Sequence, residues 1–304
     1  MDTDIDLQNL KTTLKENRLW LKKAMGQNFL VNHEPLEIII NNAGLSENDT
    51  VLEIGPGLGI LSELLAKEAK LVLAIEKDQK LVEFLRKKYK HTKNLKIIHH
   101  DILTYDPGLI VSGYKIIANL PYNITSPVLR KFLEAENKPQ EMILMVQKEV
   151  AERICAKPGD SNRGVLTVMV EFYSKAEIID IVKKDSFFPV PKVDSAIIKL
   201  QVTNNGYKKL LEVTKKDYMK TKATLSNCEQ SELRNLEATF FRIVKAGFSQ
   251  KRRQIHNPLE ATLRLPKEEI LAILKEAKIA PTLRAEDLNL SDWVKLYEEV
   301  QKSI

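Results

Sequence analysis

Three glycines stand at alternate positions in the segment Glu53-Ile54-Gly55-Pro56-Gly57-Leu58-Gly59. Glycines let a backbone turn sharply and approach a ligand closely. The helical pattern that begins near Ile60 offers unpaired N–H groups to an anion such as a carboxylate. A dinucleotide fingerprint, G-x-G-x-x-G, would need glycine where Ile60 stands. The segment therefore predicts a ligand site without a pyrophosphate, and a purely structural turn is the alternative.

Two acidic residues follow the next two apolar runs of the chain. Glu76 ends the second predicted strand, and Asp101 follows the third. At such a strand end, Glu76 is suited to accept hydrogen bonds from both hydroxyls of a ribose, and Asp101 to accept one from an adenine amino group. Either residue taken alone is also a common loop cap. Together with the glycine segment they indicate a site for an adenosine-containing ligand.

The segment Asn119-Leu120-Pro121-Tyr122 follows the fourth predicted strand. The exocyclic amine of adenine is a poor nucleophile because its lone pair is delocalised into the ring, so a site that activates it must accept hydrogen bonds from its N–H groups. The Asn119 side-chain oxygen and the Leu120 carbonyl are suited to accept them. Pro121 fixes φ and holds that carbonyl outward, while Tyr122 offers a flat face to a base pulled out of its helix. An ordinary turn is the alternative.

These residues need a parallel sheet that brings successive strand ends together. From about Thr50 to Val202, short β-branched apolar runs alternate with helical patterns, which predicts βαβ units and a mainly parallel sheet. The predicted strands are 51–54, 71–75, 95–98, 115–118, 142–146, 176–182 and 196–202. The last two have no helix between them, so an antiparallel pair at one sheet edge is expected.

After Val202 the sequence changes to helical spacing, with a polar, lysine-rich stretch over residues 204–235 that reads as a linker or an insertion. We predict a basic N-terminal arm over 1–25, a catalytic domain over 26–203 that binds the adenosine-containing ligand as a cofactor, and a helical substrate-binding domain over 204–304. The arm carries Leu14, Trp20 and Leu21 at helical spacing, so a helix with a mobile end is expected there.

The composition excludes several classes of protein. The chain has 304 residues, a formal net charge of +6 and 43% hydrophobic residues, as in ordinary globular proteins. Cys155 and Cys228 are too few for a disulfide framework or a zinc site, so no metal is expected. No apolar run approaches the roughly 18 residues of a membrane span, and three aspartates within residues 1–6 are unlike a targeting peptide. A cytoplasmic protein without membrane contact is expected.

Positive charge is clustered in two segments without acidic residues. Residues 86–96 hold six cations and residues 242–256 hold five. Both are candidate contacts for nucleic-acid phosphates, and a solvated helix face is the alternative for each. In the second segment Phe248 and Ile255 are seven positions apart and suited to face the core. Lys251-Arg252-Arg253 between them is therefore the candidate RNA-binding edge, which we expect to face RNA across the mouth of the cofactor cleft.

Four motifs make the sequence recognisable. They are Met25-Gly26-Gln27-Asn28-Phe29-Leu30, Asn119-Leu120-Pro121-Tyr122-Asn123-Ile124-Thr125, Met145-Val146-Gln147-Lys148-Glu149-Val150-Ala151-Glu152-Arg153 and Phe187-Phe188-Pro189-Val190-Pro191-Lys192-Val193-Asp194-Ser195-Ala196. They strongly resemble the small-subunit rRNA adenine N6,N6-dimethyltransferases, over about residues 15–203 and again over 240–259. The glycine segment likewise resembles the S-adenosylmethionine loop of class I methyltransferases.

The resemblance implies an α/β fold of the class I S-adenosylmethionine-dependent methyltransferases, a Rossmann-like, seven-stranded, mainly parallel sheet with a small all-helical C-terminal domain. It implies transfer of four methyl groups from S-adenosylmethionine to two adjacent adenosines near the 3′ end of small-subunit rRNA. The expected partner is that rRNA within a 30S assembly intermediate, and the expected oligomeric state is a monomer.

Matching motifs also imply a role for each residue. The resemblance puts Asn28 and Leu30 against the cofactor, Gly55 at its methionine end, Glu76 at its ribose, Asp101 at its adenine, and Asn119 between cofactor and target amine. Tyr122 and Phe187 would enclose the flipped adenine, and an anchor of the hydrophobic core is an equal alternative for Phe187. No general base is assigned, because the methylated amine is acidic enough to lose its proton to water.

Other functions stay open at this point. Erythromycin-resistance methyltransferases, which act on large-subunit rRNA, usually carry Ile where Leu120 stands, and DNA adenine methyltransferases usually present Asp-Pro-Pro-Tyr. A binding or transcription factor that keeps the pocket without methyl transfer is the alternative from another class, and the intact Asn119, Glu76 and glycine segment favour an enzyme. The long stretch 204–235 and Pro258 depart from the family pattern, which concerns RNA docking rather than the chemistry.

Overall fold

The structure is a computed structural model that describes residues 7–19, 28–203, 205–214 and 227–303. The strands are β1 (Phe29–Leu30), β2 (Thr50–Ile54), β3 (Leu71–Glu76), β4 (Leu95–His99), β5 (Lys115–Asn119), β6 (Glu141–Gln147), β7 (Ser174–Val182), β8 (Phe187–Phe188) and β9 (Ser195–Val202). The helices are α1 (Leu7–Glu16), α2 (Glu34–Ala43), α3 (Ile60–Glu68), α4 (Gln79–Lys88), α5 (Thr125–Glu134), α6 (Lys148–Ile154), α7 (Val165–Tyr173), α8 (Asn205–Thr214), α9 (Asn227–Phe248), α10 (His256–Leu263), α11 (Lys267–Glu276) and α12 (Leu290–Ser303).

Seven strands form one sheet in the order β4-β3-β2-β5-β6-β9-β7. The first five in this order pair in parallel, and β9 pairs antiparallel with β6. All seven predicted strands are confirmed to within two residues. They are apolar because helices cover a parallel sheet on both faces, and Val51, Leu52 and Ile143 are fully buried.

The strand order reverses between β2 and β5, which lie side by side although two strands separate them along the chain. From β2 the chain moves outward through β3 to β4, and from β5 it moves the other way to β6. A crevice opens at such a switch point, outside the carboxyl ends of the strands, and ligands of open α/β sheets bind there. The fold therefore brings the glycine segment and Asn119 to the same place.

The N-terminal helix α1 packs on the sheet-containing part of the chain. Its residues Leu10 and Leu14, together with Leu19, form a buried cluster with Phe29, Leu58 and Leu81. The predicted helix in the arm is thus confirmed over the described residues, whereas Trp20 and Leu21 lie outside them.

The chain divides into two compact units. The first comprises the described residues up to Ala151 together with Ala176–Val202, and the second comprises Glu152–Lys175 together with the described residues from Thr203 onward. Residues 152–175 therefore belong to the helical unit, whereas the predicted catalytic domain includes them. The cause is aromatic packing: the ring of Phe172 on α7 contacts the rings of Tyr207 and Phe240 at centroid distances of 5.2 and 5.1 Å.

The second unit is helical, as predicted, and the buried Arg163 side chain links its segments. Arg163 is fully buried and donates two hydrogen bonds to Glu171, at 2.7 and 2.6 Å, and one to the Leu288 carbonyl at 3.1 Å. Of the two interpretations of residues 204–235, a linker is wrong for the described part, because that part contains α8 and the start of α9. Residues 204 and 215–226 of that stretch lie outside the described residues.

Among the residues that the structure describes, no helix combines the length and the apolar character needed to cross a lipid bilayer. The same residues contain no group of three or more His, Cys, Asp or Glu side chains arranged to hold a metal ion.

Candidate active site

A cavity of about 240 Å³ lies in the first unit, at the carboxyl edge of β2, β3 and β5. Its lining includes all six residues predicted to bind the cofactor, namely Asn28, Leu30, Gly55, Glu76, Asp101 and Asn119. It also includes Leu120 and Tyr122. Residues that are widely separated in the sequence thus meet in one cavity, because parallel strands end at the same edge of the sheet.

The glycine segment forms the turn between β2 and α3. Gly55, Gly57 and Gly59 have φ angles of 66°, 60° and 80°, which only glycine adopts without strain. A Cβ atom on Gly57 would stand 3.0 Å from the Phe29 ring, and one on Gly59 would stand 2.6 Å from the Tyr89 ring. No side chain caps α3 at Gly59. The first-turn N–H groups of that helix are therefore available to an anionic group of a ligand.

Glu53 is a site residue to which the sequence assigned no separate role. It lies in β2, is 1% exposed, and accepts a hydrogen bond of 2.5 Å from the buried Ser62 hydroxyl. Burial raises the pKa of the Glu53 carboxyl to about 8, so it is mainly protonated at neutral pH. A neutral carboxyl adds no charge to the cavity that it lines. The sequence feature that could have identified Glu53 is its position as an acidic residue within an otherwise apolar strand.

Glu76 ends β3 with its carboxylate at the cavity. It is 7% exposed and accepts a hydrogen bond of 2.8 Å from the Asp78 backbone N–H. Burial raises the pKa of the Glu76 carboxyl above its usual value, while hydrogen bonds from the backbone N–H groups of Asp78, Gly57 and Lys77 act in the opposite direction. These donors fix the carboxylate next to the glycine segment, where it can accept from two adjacent hydroxyls.

Asp101 lies beyond the end of β4, on the same cavity wall. Its Oδ2 accepts a hydrogen bond of 2.7 Å from Lys77 Nζ, and its Oδ1 accepts one of 2.9 Å from the Leu103 backbone N–H. These two hydrogen bonds, with that from Lys77 the larger effect, lower the pKa of the Asp101 carboxyl. Asp101 is therefore ionised at neutral pH, and each of its oxygens retains a lone pair for a ligand amino group.

Asn119 is the last residue of β5, beside Met145 of β6. The Leu120 N–H donates to the Met145 carbonyl at 3.1 Å, which anchors the segment to the sheet. Within the described part of the chain, the Asn119 side-chain amide and the Leu120 carbonyl have no hydrogen-bond partner. Both acceptors are thus free to bind an amine in the cavity.

The Tyr122 side chain is held in place by a residue that is distant in the sequence. Its hydroxyl and the fully buried Ser195 hydroxyl lie 2.7 Å apart, at the start of β9. Burial raises the pKa of the Tyr122 phenol, so the hydroxyl stays protonated at neutral pH. The sequence did not single out Ser195, although it belongs to one of the four recognised motifs.

Replacement of Ser195 by alanine is expected to lower kcat for the reaction at this site about 2- to 10-fold, which corresponds to one neutral hydrogen bond of roughly 0.5–1.5 kcal/mol. Cofactor affinity should not change. The matched control is Tyr122→Phe, which removes the other hydroxyl of the pair. Because both variants break the same bond, the double variant should be no slower than Tyr122→Phe. Losses that multiply in the double variant would contradict the positioning role.

Phe187 is not brought to the cavity. It is 2% exposed, pairs with Leu30 in the β1–β8 ribbon, and packs in the main hydrophobic cluster with Ile39 and Val182. Its burial agrees with the interpretation of Phe187 as an anchor of the hydrophobic core. It does not support a position of Phe187 beside a flipped adenine. The pairing holds Leu30, which lines the cavity.

The candidate RNA-binding segment lies in the second unit, between α9 and α10. Lys251, Arg252 and Arg253 are exposed and form a turn rather than a helix, with the Arg253 N–H donating to the Gln250 carbonyl at 2.9 Å. Ile255 behind them is fully buried, as its spacing predicts. Within the described residues the three cations form no ion pair.

This fold and this site define a class I S-adenosylmethionine-dependent methyltransferase. The donors and acceptors fit that cofactor: a close-approach turn with an uncapped helix for its amino-acid end, Glu76 for its ribose and Asp101 for its adenine. The model of the family "Ribosomal RNA adenine dimethylase" matches residues 19–238. The chain belongs to this family, and S-adenosylmethionine is its methyl donor.

Individual relatives agree with this assignment. A protein named ribosomal RNA small subunit methyltransferase A from Dehalococcoides mccartyi is 40% identical over 286 residues, covering 93% of this chain and 89% of the relative. One of the same name from Fusobacterium nucleatum is 38% identical over 277 residues, covering 90% and 96%.

Solved structures with the same architecture include a dimethyladenosine transferase from Plasmodium falciparum, with a TM-score of 0.72, 27% identity, and coverage of 90% of this chain and 98% of that one. Another is the 23S rRNA methyltransferase ErmE, with a TM-score of 0.65, 27% identity, and coverage of 90% and 99%. The two share the fold although one is named for large-subunit rRNA.

Proposed function

We propose that this enzyme transfers methyl groups from S-adenosylmethionine to N6 of two adjacent adenosines near the 3′ end of small-subunit rRNA, during ribosome biogenesis. The observation that carries the proposal is the free amide of Asn119 in the cavity that also holds Glu76 and Asp101. Relatives named for the small subunit, at up to 40% identity, support this substrate over large-subunit rRNA.

The bound cofactor supplies a methyl group attached to a positively charged sulfur. The Asn119 side-chain oxygen and the Leu120 carbonyl accept hydrogen bonds from the adenine N6–H groups, which directs the nitrogen lone pair toward that methyl group. Glu76 and Asp101 would hold the cofactor, which would supply the methyl carbon to N6 while the electron pair of its carbon–sulfur bond stays with sulfur. The methylated nitrogen then loses one proton to water, so no protein base is needed.

The Tyr122 ring is suited to stack on the adenine, because its hydroxyl is held by Ser195 and Tyr122 lines the cavity. A base that reacts at N6 must leave its helix, and stacking offsets part of the cost of unstacking it. Phe187 contributes indirectly, by holding Leu30 in the cavity wall.

The proposed partner is small-subunit rRNA within a 30S assembly intermediate, and the proposed working form is a cytoplasmic monomer. Lys251, Arg252 and Arg253 are the proposed phosphate contacts of the second unit, because they are exposed and not neutralised by carboxylates of the described residues. Residues 204–304 are accordingly proposed to form the part that binds RNA, together with 152–175.

The test is methyl transfer to a defined substrate. Purified enzyme and labelled S-adenosylmethionine are incubated with 30S particles that lack the modification, and the labelled nucleotides are mapped. Four labelled methyl groups on two adjacent adenosines near the 3′ end are expected. Large-subunit particles serve as the matched control, and label on those instead would replace the small-subunit proposal. Binding of 30S particles without any transfer would indicate a non-catalytic binding protein.

Replacement of Lys251, Arg252 and Arg253 by glutamine is expected to weaken binding to 30S particles. Each lost phosphate contact lowers the logarithmic salt slope by about 0.7 to 0.9, so the slope should flatten by up to about 2 to 3 units. The measurement is a binding titration across a salt series, with S-adenosylmethionine affinity as the control that should not move. A slope equal to that of the unaltered enzyme would remove this segment from the RNA interface.

A further inference from the structure

A second group of exposed cations lies in the first unit, where the proposed function assigns no RNA contact. We name it the α4–β4 basic surface, after its position at the end of α4 and along the turn into β4. Its members are all exposed and all lie in the acid-free segment, and they are Arg86, Lys87, Lys90, Lys93 and Lys96.

The lysines of this surface are not neutralised by the protein. Within the described residues, Lys87, Lys90, Lys93 and Lys96 form no ion pair. Some exposed cations elsewhere in the same unit are paired with carboxylates. The pairs are Lys67 with Glu63 at 3.8 Å, Lys77 with Asp101 at 2.7 Å, Arg130 with Glu134 at 2.9 Å, and Lys183 with Asp194 at 3.6 Å. The α4–β4 basic surface thus presents four lysines, close together in the sequence, that no carboxylate of the described residues neutralises.

One member of the surface is held in a fixed orientation. The Arg86 guanidinium donates to the Ile97 carbonyl through Nε at 3.3 Å and through one terminal nitrogen at 3.1 Å. Its other N–H groups keep their hydrogen-bonding capacity, and a planar guanidinium matches the two oxygens of a phosphate. Because its orientation is already fixed, less conformational entropy is lost when it binds.

Two hydrogen bonds connect the end of α4 to the turn that lines the cofactor cavity. Lys88 Nζ donates to the Leu58 carbonyl at 3.2 Å, and the Tyr89 hydroxyl donates to the Gly59 carbonyl at 2.6 Å. Leu58 is part of the cavity lining. The end of α4 and the glycine turn are therefore directly hydrogen-bonded.

Protection of a sheet edge is an alternative role for such lysines, because β4 is an edge strand and charged residues prevent pairing with other chains. That role accounts for Lys96, which lies within β4. It does not account for Lys87, Lys90 and Lys93, which precede the strand in α4 and the turn.

We propose that the α4–β4 basic surface binds the phosphate backbone of the substrate rRNA away from the reacting adenosines, as a second anchoring contact on the first unit. The proposal rests on the proposed function, since it takes the same RNA as ligand. Phosphates fit because the surface offers several cations without competing carboxylates, and backbone contacts of this kind need no particular base.

The test compares two triple variants that each remove three positive charges. Lys87, Lys90 and Lys93 are replaced by glutamine in the first, and the paired cations Lys67, Arg130 and Lys302 are replaced by glutamine in the control. Affinity for 30S particles that lack the modification is measured across a KCl series. The first variant should bind more weakly and flatten the logarithmic salt slope by about 2 units, as phosphate contacts require. The control should match the unaltered enzyme.

Equal slopes for the two variants would overturn the proposal, as would weaker binding with an unchanged slope. S-adenosylmethionine affinity is measured in parallel and should be unchanged, and a second variant, Lys90→Glu with Lys93→Glu, repeats the test outside α4. The proposed function is tested separately by the unaltered enzyme. If that enzyme neither binds nor methylates 30S particles the proposed function fails, whereas if it does both and the variants behave alike only this surface is excluded.

Discussion

Replacing Asn119 by alanine should reduce the rate of methyl transfer by about 100- to 1,000-fold, the range found when one preorganised hydrogen-bonding group of an active site is removed. The Asn119 amide stands at the end of β5 without a protein partner among the described residues, so its oxygen is available to the target amine. Its hydrogen bond strengthens as charge develops on N6. The loss should therefore appear mainly in kcat, measured with 30S particles as substrate.

The matched control is Asn48→Ala, which removes an exposed amide in the turn before β2. It should transfer methyl groups at the normal rate. Thermal unfolding of Asn119→Ala should resemble that of the unaltered enzyme, because Asn119 makes no side-chain hydrogen bond within the described structure. Near-normal turnover by Asn119→Ala would exclude Asn119 from activating the amine.

Replacing Glu76 by alanine should weaken S-adenosylmethionine binding by about 2 to 4 kcal/mol, since two hydrogen bonds to a charged group are lost. The carboxylate is buried and oriented by the backbone N–H of Asp78. Calorimetry measures the effect directly. Glu76→Gln is the matched control: it keeps one acceptor oxygen and should lose less affinity than Glu76→Ala.

The pKa of Glu76 adds a pH dependence with a definite sign. Burial raises the pKa of this carboxyl, and only the ionised form accepts hydrogen bonds from both ribose hydroxyls at full strength. S-adenosylmethionine affinity should therefore fall as pH is lowered through that raised pKa, and this fall should be absent from Glu76→Ala. If the unaltered enzyme and Glu76→Ala bound S-adenosylmethionine with equal affinity at neutral pH, the assignment of Glu76 to the ribose would be refuted.

The strands and the cavity were predictable because both follow from local patterns. A buried parallel strand carries a short run of mostly apolar residues, which identifies β2 to β6 one by one. Parallel strands that carry functional residues at their carboxyl ends must bring them together, so Glu76, Asp101 and Asn119 could be placed in one cavity before any contact was known.

The features that sequence patterns missed depend on contacts between distant segments. The sequence left Phe187 open between a place beside the adenine and a core anchor, because its burial depends on the pairing of β8 with β1, some 157 positions earlier along the chain. Ser195 meets Tyr122 only once β9 has entered the sheet. Residues 152–175 join the helical unit through the ring of Phe172, and a single aromatic residue in an apolar helix does not identify its partner.

The position of β9 between β6 and β7 has a consequence for synthesis on the ribosome. The strand β6 is buried along nearly its whole length and ends at Gln147, whereas its neighbour β9 begins only at Ser195. A nascent chain that has emerged as far as β6 therefore presents an apolar strand with an unpaired edge, which is a template for aggregation. The edge of β6 stays unpaired until the motif that contains Ser195 leaves the exit tunnel. Premature termination between β6 and β9 should therefore yield an insoluble fragment.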